Sequence, residues 1–251
     1  MNIAVLVKSV PDTETKIKLS DSKLNQSDFK YVINPYDEYA VEEALKIQEA
    51  HPGSESIVIS CGPKSCQDSM RKAMAMGIDR GIHINFEPTD SYQVAFALSE
   101  VLKEEAPQII LGGQKAIDDD TGHVGVMVAE LLNIPHIQVV SKLTWKNDSS
   151  LVVEREVEGG MIEVIETSLP VYLGAHKNLN APRFTSLPGI MKAKKKPLVE
   201  KTPVSIPSAL VEIHSYMLPL EKPAGKIFKG EPVESMVQKV VGLLRTEAKV
   251  L

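Results

Sequence analysis

Five short apolar runs alternate with four stretches of helical periodicity over the first 140 residues, and this alternation constrains the fold more than any other feature of the chain. The runs cover 2–10, 56–60, 80–85, 108–113 and 135–140. The first is apolar at nearly every position and the second is also read as buried, as strands covered on both faces are. Between them, "NPYDEYAVEEALKIQEA" opens with Asn34 where an N-cap belongs and Pro35 at the first helical position. Ala40, Val41, Ala44, Leu45 and Ile47 form its inner stripe. "CQDSMRKAMAM" stops at Gly77, Asp90 or Ser91 caps "YQVAFALSEVLKEE", and "HVGVMVAELLN" forms the fourth helix. The predicted class is α/β: a mostly parallel, twisted, Rossmann-like sheet with helices on both faces.

The pattern then changes. Residues 142–175 alternate as half-buried strands do, with Asn-Asp-Ser and Gly-Gly at the turns, which predicts an antiparallel extension of the same sheet. An Asp-Ser pair within 16–34 marks a hairpin or an irregular excursion after the first strand. Residues 176–232 are rich in Pro, Lys and Ser with little periodicity and are read as an arm. The closing segment from Val233 is helical, with Val237, Val240, Val241 and Leu244 on one face. The divisions expected are therefore 1–182, 183–232 and 233–251.

The formal net charge is -5, so no global basic surface points to nucleic acid. Positive charge is concentrated in "KAKKK" at 192–196. No apolar run approaches the roughly 18 residues of a membrane span. The chain begins directly as a strand, without a signal-like or transit-like segment, and Cys61 and Cys66 are too few for a disulfide framework. The cytoplasm is the expected compartment.

The stretch "QIILGGQKAIDDDTGHVGVM" carries the chemistry. Three adjacent aspartates suggest a metal, but calcium loops place carboxylates at alternate positions, and zinc needs His or Cys ligands where only His123 is near. A glycine-rich strand-to-helix turn suggests a phosphate, received by the amides of Thr121, Gly122, His123, Val124 and Gly125 and by one hydroxyl. The aspartates would then cap loop amides or accept from ribose hydroxyls. A capped surface loop without ligand fits the same grammar. Leu6 to Lys8, "SCGP" at 60–63 and the helix start at Asn34 could border the same crevice, with strand-end backbone reading an adenine edge. Equally, Cys61 could be a small buried hydrophobe and Asn34 a plain cap. G-x-G-x-x-G, Walker, G-x-S-x-G and H-E-x-x-H motifs are absent from the sequence, which points away from catalysis. A glycine-serine pyrophosphate loop is also missing after the first strand, which disfavours an adenine-nucleotide hydrolase, and a stand-alone nucleotide sensor has no use for the arm.

"NPYDEYAVEEAL", "SCGP" with "AMAMGIDRGIHI", "QKAIDDD", "VEREVEGG" and above all "LNAPRFTSLPGIMKAKKKP" resemble the beta subunits of electron transfer flavoproteins over most of the chain. The resemblance implies an adenine-nucleotide-binding domain in a heterodimer, an electron carrier with no turnover of its own. FAD is held mainly by the alpha subunit and AMP by the beta subunit. Electrons arrive from acyl-CoA dehydrogenases and other flavin dehydrogenases and leave to a quinone oxidoreductase. The family's AMP site maps onto Leu6, onto Asn34, Pro35, Tyr36 and Asp37, onto Cys61, and onto Gly113, Gln114, Lys115, Ala116, Ile117, Asp118, Asp119, Asp120, Thr121, Gly122, His123 and Val124, with no metal. The resemblance makes Leu187, Pro188, Ile190, Met191, Lys192 and Lys195 the partner-docking residues, in a segment without helical or strand period, and packs the helix from 233 on the alpha subunit. Two departures matter. Mitochondrial-type relatives have Cys-Asn-Gln-Thr-Gly at 121–125, where this chain has Thr-Gly-His-Val-Gly. Electron-bifurcating relatives, which hold a second FAD here, have D-G-D-T-x-x-V-G-P. This chain matches that pattern at Asp118, Asp120, Thr121, Val124 and Gly125 but has Asp119 and Val126 for its glycine and proline. The loop is mixed: AMP is favoured, and a second FAD stays open as the alternative.

Overall fold

A computed structural model describes residues 1–220 and 224–251. The chain separates into two units, 1–215 and 216–251. In the first, β1 (Asn2–Leu6), β2 (Ser9–Pro11), β3 (Lys18–Ser20), β4 (Lys23–Asn25) and β5 (Tyr31–Ile33) precede α1 (Pro35–Ala50). There follow β6 (Glu55–Gly62), α2 (Cys66–Met76), β7 (Arg80–Asn85), α3 (Ser91–Glu105), β8 (Ile109–Gly113) and α4 (Val124–Leu132). The chain continues through β9 (His136–Asn147), β10 (Ser150–Val157), a 3-10 turn, β11 (Met161–Ser168), β12 (Val171–Ala175), α5 (Leu187–Ala193) and β13 (Leu198–Lys201). The second unit contains α6 (Val233–Thr246).

The main sheet has nine strands in the order β11-β10-β9-β12-β8-β1-β6-β7-β13. The seven from β9 to β13 in that order are parallel to one another, and β10 and β11 add the antiparallel extension. Consecutive apolar residues in the central strands have a direct cause. Ile3 and Val5 pack under α1 and α2, while Ala4 and Leu6 face α3 and α4, so neither face of the strand meets water. Each fully buried aliphatic side chain there, such as Ile57 or Ile59, contributes about 1.5–3 kcal/mol to the folded state. Asp90 caps α3, its side chain accepting from the Gln93 N–H.

Four features differ from the sequence reading or sharpen it. The first apolar run does not continue as one strand to residue 10: it leaves the sheet after Leu6, and Ser9–Pro11 pairs with β5 in a separate ribbon. The break has a polar cause, because the Lys8 N–H is taken by a carboxylate oxygen of Asp37. Within 16–34, β3 and β4 form a hairpin through Asp21 and Ser22, both at positive φ. The 187–193 segment is a helix, whereas its sequence shows no period. Seven residues are too few to display one, and the helix is specified by the Ser186 cap and by packing on α2. Residues 198–201, read as arm, pair in parallel with β7 as an edge strand of the sheet. Four residues at an edge carry almost no pattern.

In the second unit, α6 shows an apolar face with Val233, Val237 and Val240 exposed. Lys239 pairs with Glu231, and Lys226 with Glu247.

Candidate nucleotide site

From β1 the chain winds through α1 to β6 and then to β7, all on one side of β1. It returns as β8 on the other side. Beyond the carboxyl ends of β1 and β8 the two windings diverge, and in open α/β sheets this reversal point leaves a ligand crevice. Here it holds a cavity of about 280 Å³. Residues 6–9, 61–63, 112–113, 115–116 and 121–125 line it, with Asp119, the start of α3 and the ring of Tyr172 completing the wall.

Two buried polar residues hold the strand ends in place. Asn34 and Asp37 are 0% and 5% exposed. One Asp37 oxygen accepts from the Lys8 N–H at 2.7 Å; the other accepts from Asn34 Nδ2 at 2.8 Å and from the Gly113 N–H at 2.9 Å. The carboxylate thus ties the ends of β1 and β8 to α1. Burial pushes it up to about 7, against those three donors and the nearby Lys8 charge. Asn34 stands at the N-cap position of α1, but its side chain does not cap the helix. Its Nδ2 also donates to the Lys115 carbonyl, and its Oδ1 accepts from the Ile117 N–H, so it pins the loop after β8.

The three aspartates do not converge. Lys8 Nζ donates to Asp118 at 2.8 Å and to Asp119 at 2.9 Å, while Lys115 pairs with Asp120 at 2.6 Å. Asp119 also accepts from the Thr121 N–H and hydroxyl. Burial opposes its charge, but Lys8 and Thr121 outweigh burial and hold its carboxyl below the usual range. Lys8 is likewise raised: burial pulls its ammonium down, and the two aspartates more than restore it. Among the described residues no group of His, Cys, Asp and Glu is arranged to hold a metal ion.

Lys8 and Lys115 offset two of the three negative charges and engage all three carboxylates. α4 begins at Val124 without a side-chain cap, and its first turn offers N–H groups with no partner inside the helix. His123 Nε2 is buried without a protein partner beside them. Gly122 has φ +64°, and a Cβ there would meet the Gln114 carbonyl oxygen at 2.6 Å, so the turn requires glycine. The thiols do not offer a nucleophile: burial, with Cys66 adding to it, pushes Cys61 up to about 12. An uncapped helix start, a glycine turn and an orphaned imidazole nitrogen fit the phosphate end of a nucleotide.

Of the residues singled out in the sequence, Leu6, Asn34, Asp37, Cys61, Gly113, Lys115, Ala116, Asp119, Thr121, Gly122, His123 and Val124 line the cavity. Pro35, Tyr36, Gln114, Ile117, Asp118 and Asp120 lie in the same segments outside its lining. Among the lining residues that sequence reasoning missed are Pro88, Ser91, Val94, Leu98 and Tyr172. The first four come with α3 from the opposite face. Tyr172 arrives on a strand inserted next to β8 from far along the chain, and no local signal announces it. In the segment read as a docking loop, Leu187 is 80% and Met191 70% exposed, and Pro188, Ile190, Lys192 and Lys195 are also exposed.

Comparison with known proteins bears on this arrangement. A family model described as the electron transfer flavoprotein domain matches residues 22–205. The chain is 41% identical over 261 residues to electron transfer flavoprotein subunit beta of Bacillus subtilis (strain 168), covering 100% of both chains. It is 38% identical to the proteins of that name from Syntrophomonas wolfei, covering 100% of this chain and 99% of the relative, and from Homo sapiens, covering 96% of each.

Proposed function

The chain belongs to the electron transfer flavoprotein beta-subunit family, and we propose that it is the nucleotide-holding half of a heterodimeric electron carrier, with AMP in the crevice between β1 and β8. The observation that carries this reading is the uncapped start of α4 behind the Gly122 turn, opening into a cavity where Asp119 is already paired with Lys8. The α4 amides and the glycine turn receive the phosphate. Leu6, Cys61 and the start of α3 offer an apolar wall for the base. AMP in this position is a structural ligand, locking the β1, β8 and α4 ends together. It performs no chemistry.

FAD sits mainly in the alpha subunit, so this chain's contribution to electron transfer is to build the heterodimer and to bring partners to the flavin. We read the chain as a carrier subunit, as its family membership suggests. The electron donors are flavin dehydrogenases such as acyl-CoA dehydrogenases, and the acceptor is a quinone oxidoreductase. We assign dehydrogenase docking to α5, where Leu187 and Met191 present apolar side chains to solvent. A leucine seated in an apolar pocket contributes about 1.5–3 kcal/mol, or roughly ten- to a hundredfold in affinity. That is strong enough to orient a partner and weak enough to release it. Exposed Lys192 and Lys195 steer acidic surfaces and speed encounter at low salt. We place the carrier in the cytoplasm. Among the described residues no helix is long and apolar enough to cross a membrane.

The test is mass spectrometry of nucleotide released from the purified heterodimer. One AMP and one FAD per heterodimer is the expected result. Two FAD and no AMP would make this the bifurcating-type subunit that the match at Asp118, Asp120 and Thr121 allows. A heterodimer with no nucleotide in this chain overturns the site.

A further inference from the structure

Four lysines crowd the end of the docking segment, at 192, 194, 195 and 196. They read as one basic run, yet the structure separates the last from the rest. The side chains of Lys192, Lys194 and Lys195 belong to exposed residues. Lys196 turns inward. Its Nζ donates to the carbonyl oxygens of Gly77 at 2.7 Å, Ile78 at 2.6 Å and Met74 at 3.1 Å. These carbonyls lie at and just beyond the C-terminal end of α2, where a helix leaves acceptors unpaired and where its dipole favours a cation.

The link is reciprocated. Arg71, on α2, donates through Nη1 to the carbonyls of Ala193 and Lys196 at 2.6 and 2.8 Å. The helices also touch closely. Ala193 is buried, and a Cβ on Gly189 would sit 2.6 Å from the Ala75 carbonyl oxygen. Gly189 and Ala193, four residues apart, form the inner face of α5. Leu187 and Met191, also four apart, form part of its outer face. A seven-residue helix has little stability of its own. Its orientation is therefore set by what clamps it to α2.

We propose that Lys196 is a positioning residue for partner docking: it latches the end of α5 to the C-terminal carbonyls of α2 and so presents Leu187 and Met191 in a fixed orientation, while its neighbours in the same run act as steering charges. The proposal rests on the assignment of docking to α5. It separates two roles that one basic run would otherwise blur. A steering charge acts through solvent and is screened by salt, whereas a latch bonded to three carbonyls is not. Burial is consistent with the inward role: it pulls the Lys196 ammonium below its usual range, with Asp79 opposing and Lys192 adding repulsion.

The test uses the intact heterodimer and a partner dehydrogenase, with the rate of flavin reduction followed against dehydrogenase concentration at low and at high ionic strength. Lys196→Met is expected to raise the half-saturating concentration by roughly tenfold at both ionic strengths, from the orientational freedom released in the docking helix. The limiting rate and nucleotide content stay as in the wild type. The double variant Lys192→Met/Lys195→Met is expected to weaken docking at low salt only. Gly189→Ala, which pushes α5 off the Ala75 carbonyl without touching any charge, should reproduce the salt-independent loss and guards against local misfolding of the lysine variant. A wild-type half-saturation in both Lys196→Met and Gly189→Ala overturns the latch, as does a Lys196→Met effect that disappears at high salt. Leu187→Ala distinguishes the levels. If it too docks like wild type, the assignment of docking to α5 has failed; if it alone is impaired, only the latch has failed.

Discussion

Gly112 and Tyr172 offer a sharp test of how the crevice is built. A Cβ on Gly112 would lie 2.7 Å from the Tyr172 hydroxyl oxygen but 3.5 Å from the nearest ring carbons. The conflict in Gly112→Ala is therefore with one oxygen atom. Tyr172 is 2% exposed on a central strand and cannot swing away. Overpacking of this kind costs about 1–3 kcal/mol. For a chain of this size each kcal/mol lowers Tm by about 2–4 °C, so a fall of about 2–12 °C is expected. In a Tyr172→Phe background the oxygen is gone and the added methyl meets only ordinary contacts. The cost of Gly112→Ala should then drop below about 1 kcal/mol, a coupling of about 1–2 kcal/mol in the double-mutant cycle. Gly125 supplies the control. A Cβ there overlaps Tyr172 Cζ as well as the hydroxyl, so Tyr172→Phe should not rescue Gly125→Ala. Thermal melts of the four cycle members and the control pair measure all of this. Effects that add to within about 0.5 kcal/mol for Gly112 and Tyr172 would refute the reasoning, because independent sites add to that accuracy.

Three further outcomes follow from the same geometry. Val124→Asp places a carboxylate at the start of α4, where a helix tolerates it well but a phosphate does not; purified heterodimer should lose its nucleotide, and wild-type nucleotide content would contradict the site. Asp37, raised by burial to about 7, binds its proton more tightly folded than unfolded, so its contribution to stability declines as pH rises from about 4 to about 7 and is level above. Asp37→Asn should remove that part of the pH slope in denaturant titrations, and an unchanged slope would show that the carboxylate is ionised throughout. Deletion of 230–251 removes α6 and its exposed Val233, Val237 and Val240, and is expected to weaken the heterodimer; undiminished co-purification with the alpha subunit would count against a role in assembly.

The parallel core was legible because its strands are buried on both faces and its helices are long enough to show a stripe. Ala40, Val41, Ala44, Leu45 and Ile47 lie in one cluster as their spacing requires. What escaped was decided by contacts remote in sequence. The early exit of the first strand follows from the hold of Asp37 on the Lys8 N–H, 29 residues away. The pairing of the aspartates depends on Lys8, separated by 110 residues from Asp118. Asn34 has the residue type of a cap and its position, but uses its side chain on a loop 81 residues further on. Local grammar names which residue types can make such bonds and cannot choose the partner. The helix at 187–193 escaped for the opposite reason, being too short for any period to emerge.

The place of β12 bears on the order in which the molecule can be made. β9 touches the rest of the main sheet only through β12, since its other neighbour is β10. During synthesis the β9–β10–β11 meander emerges before the strand that joins it to β8. Until residues 171–175 have inserted, a chain holds two sheet fragments with bare edges facing one another, and such unpaired edges invite pairing with the wrong chain. The same strand brings Tyr172 to the crevice wall. Joining the fragments and finishing the crevice wall are thus one event. Any ligand that binds only the finished crevice would draw the equilibrium toward the joined sheet by mass action.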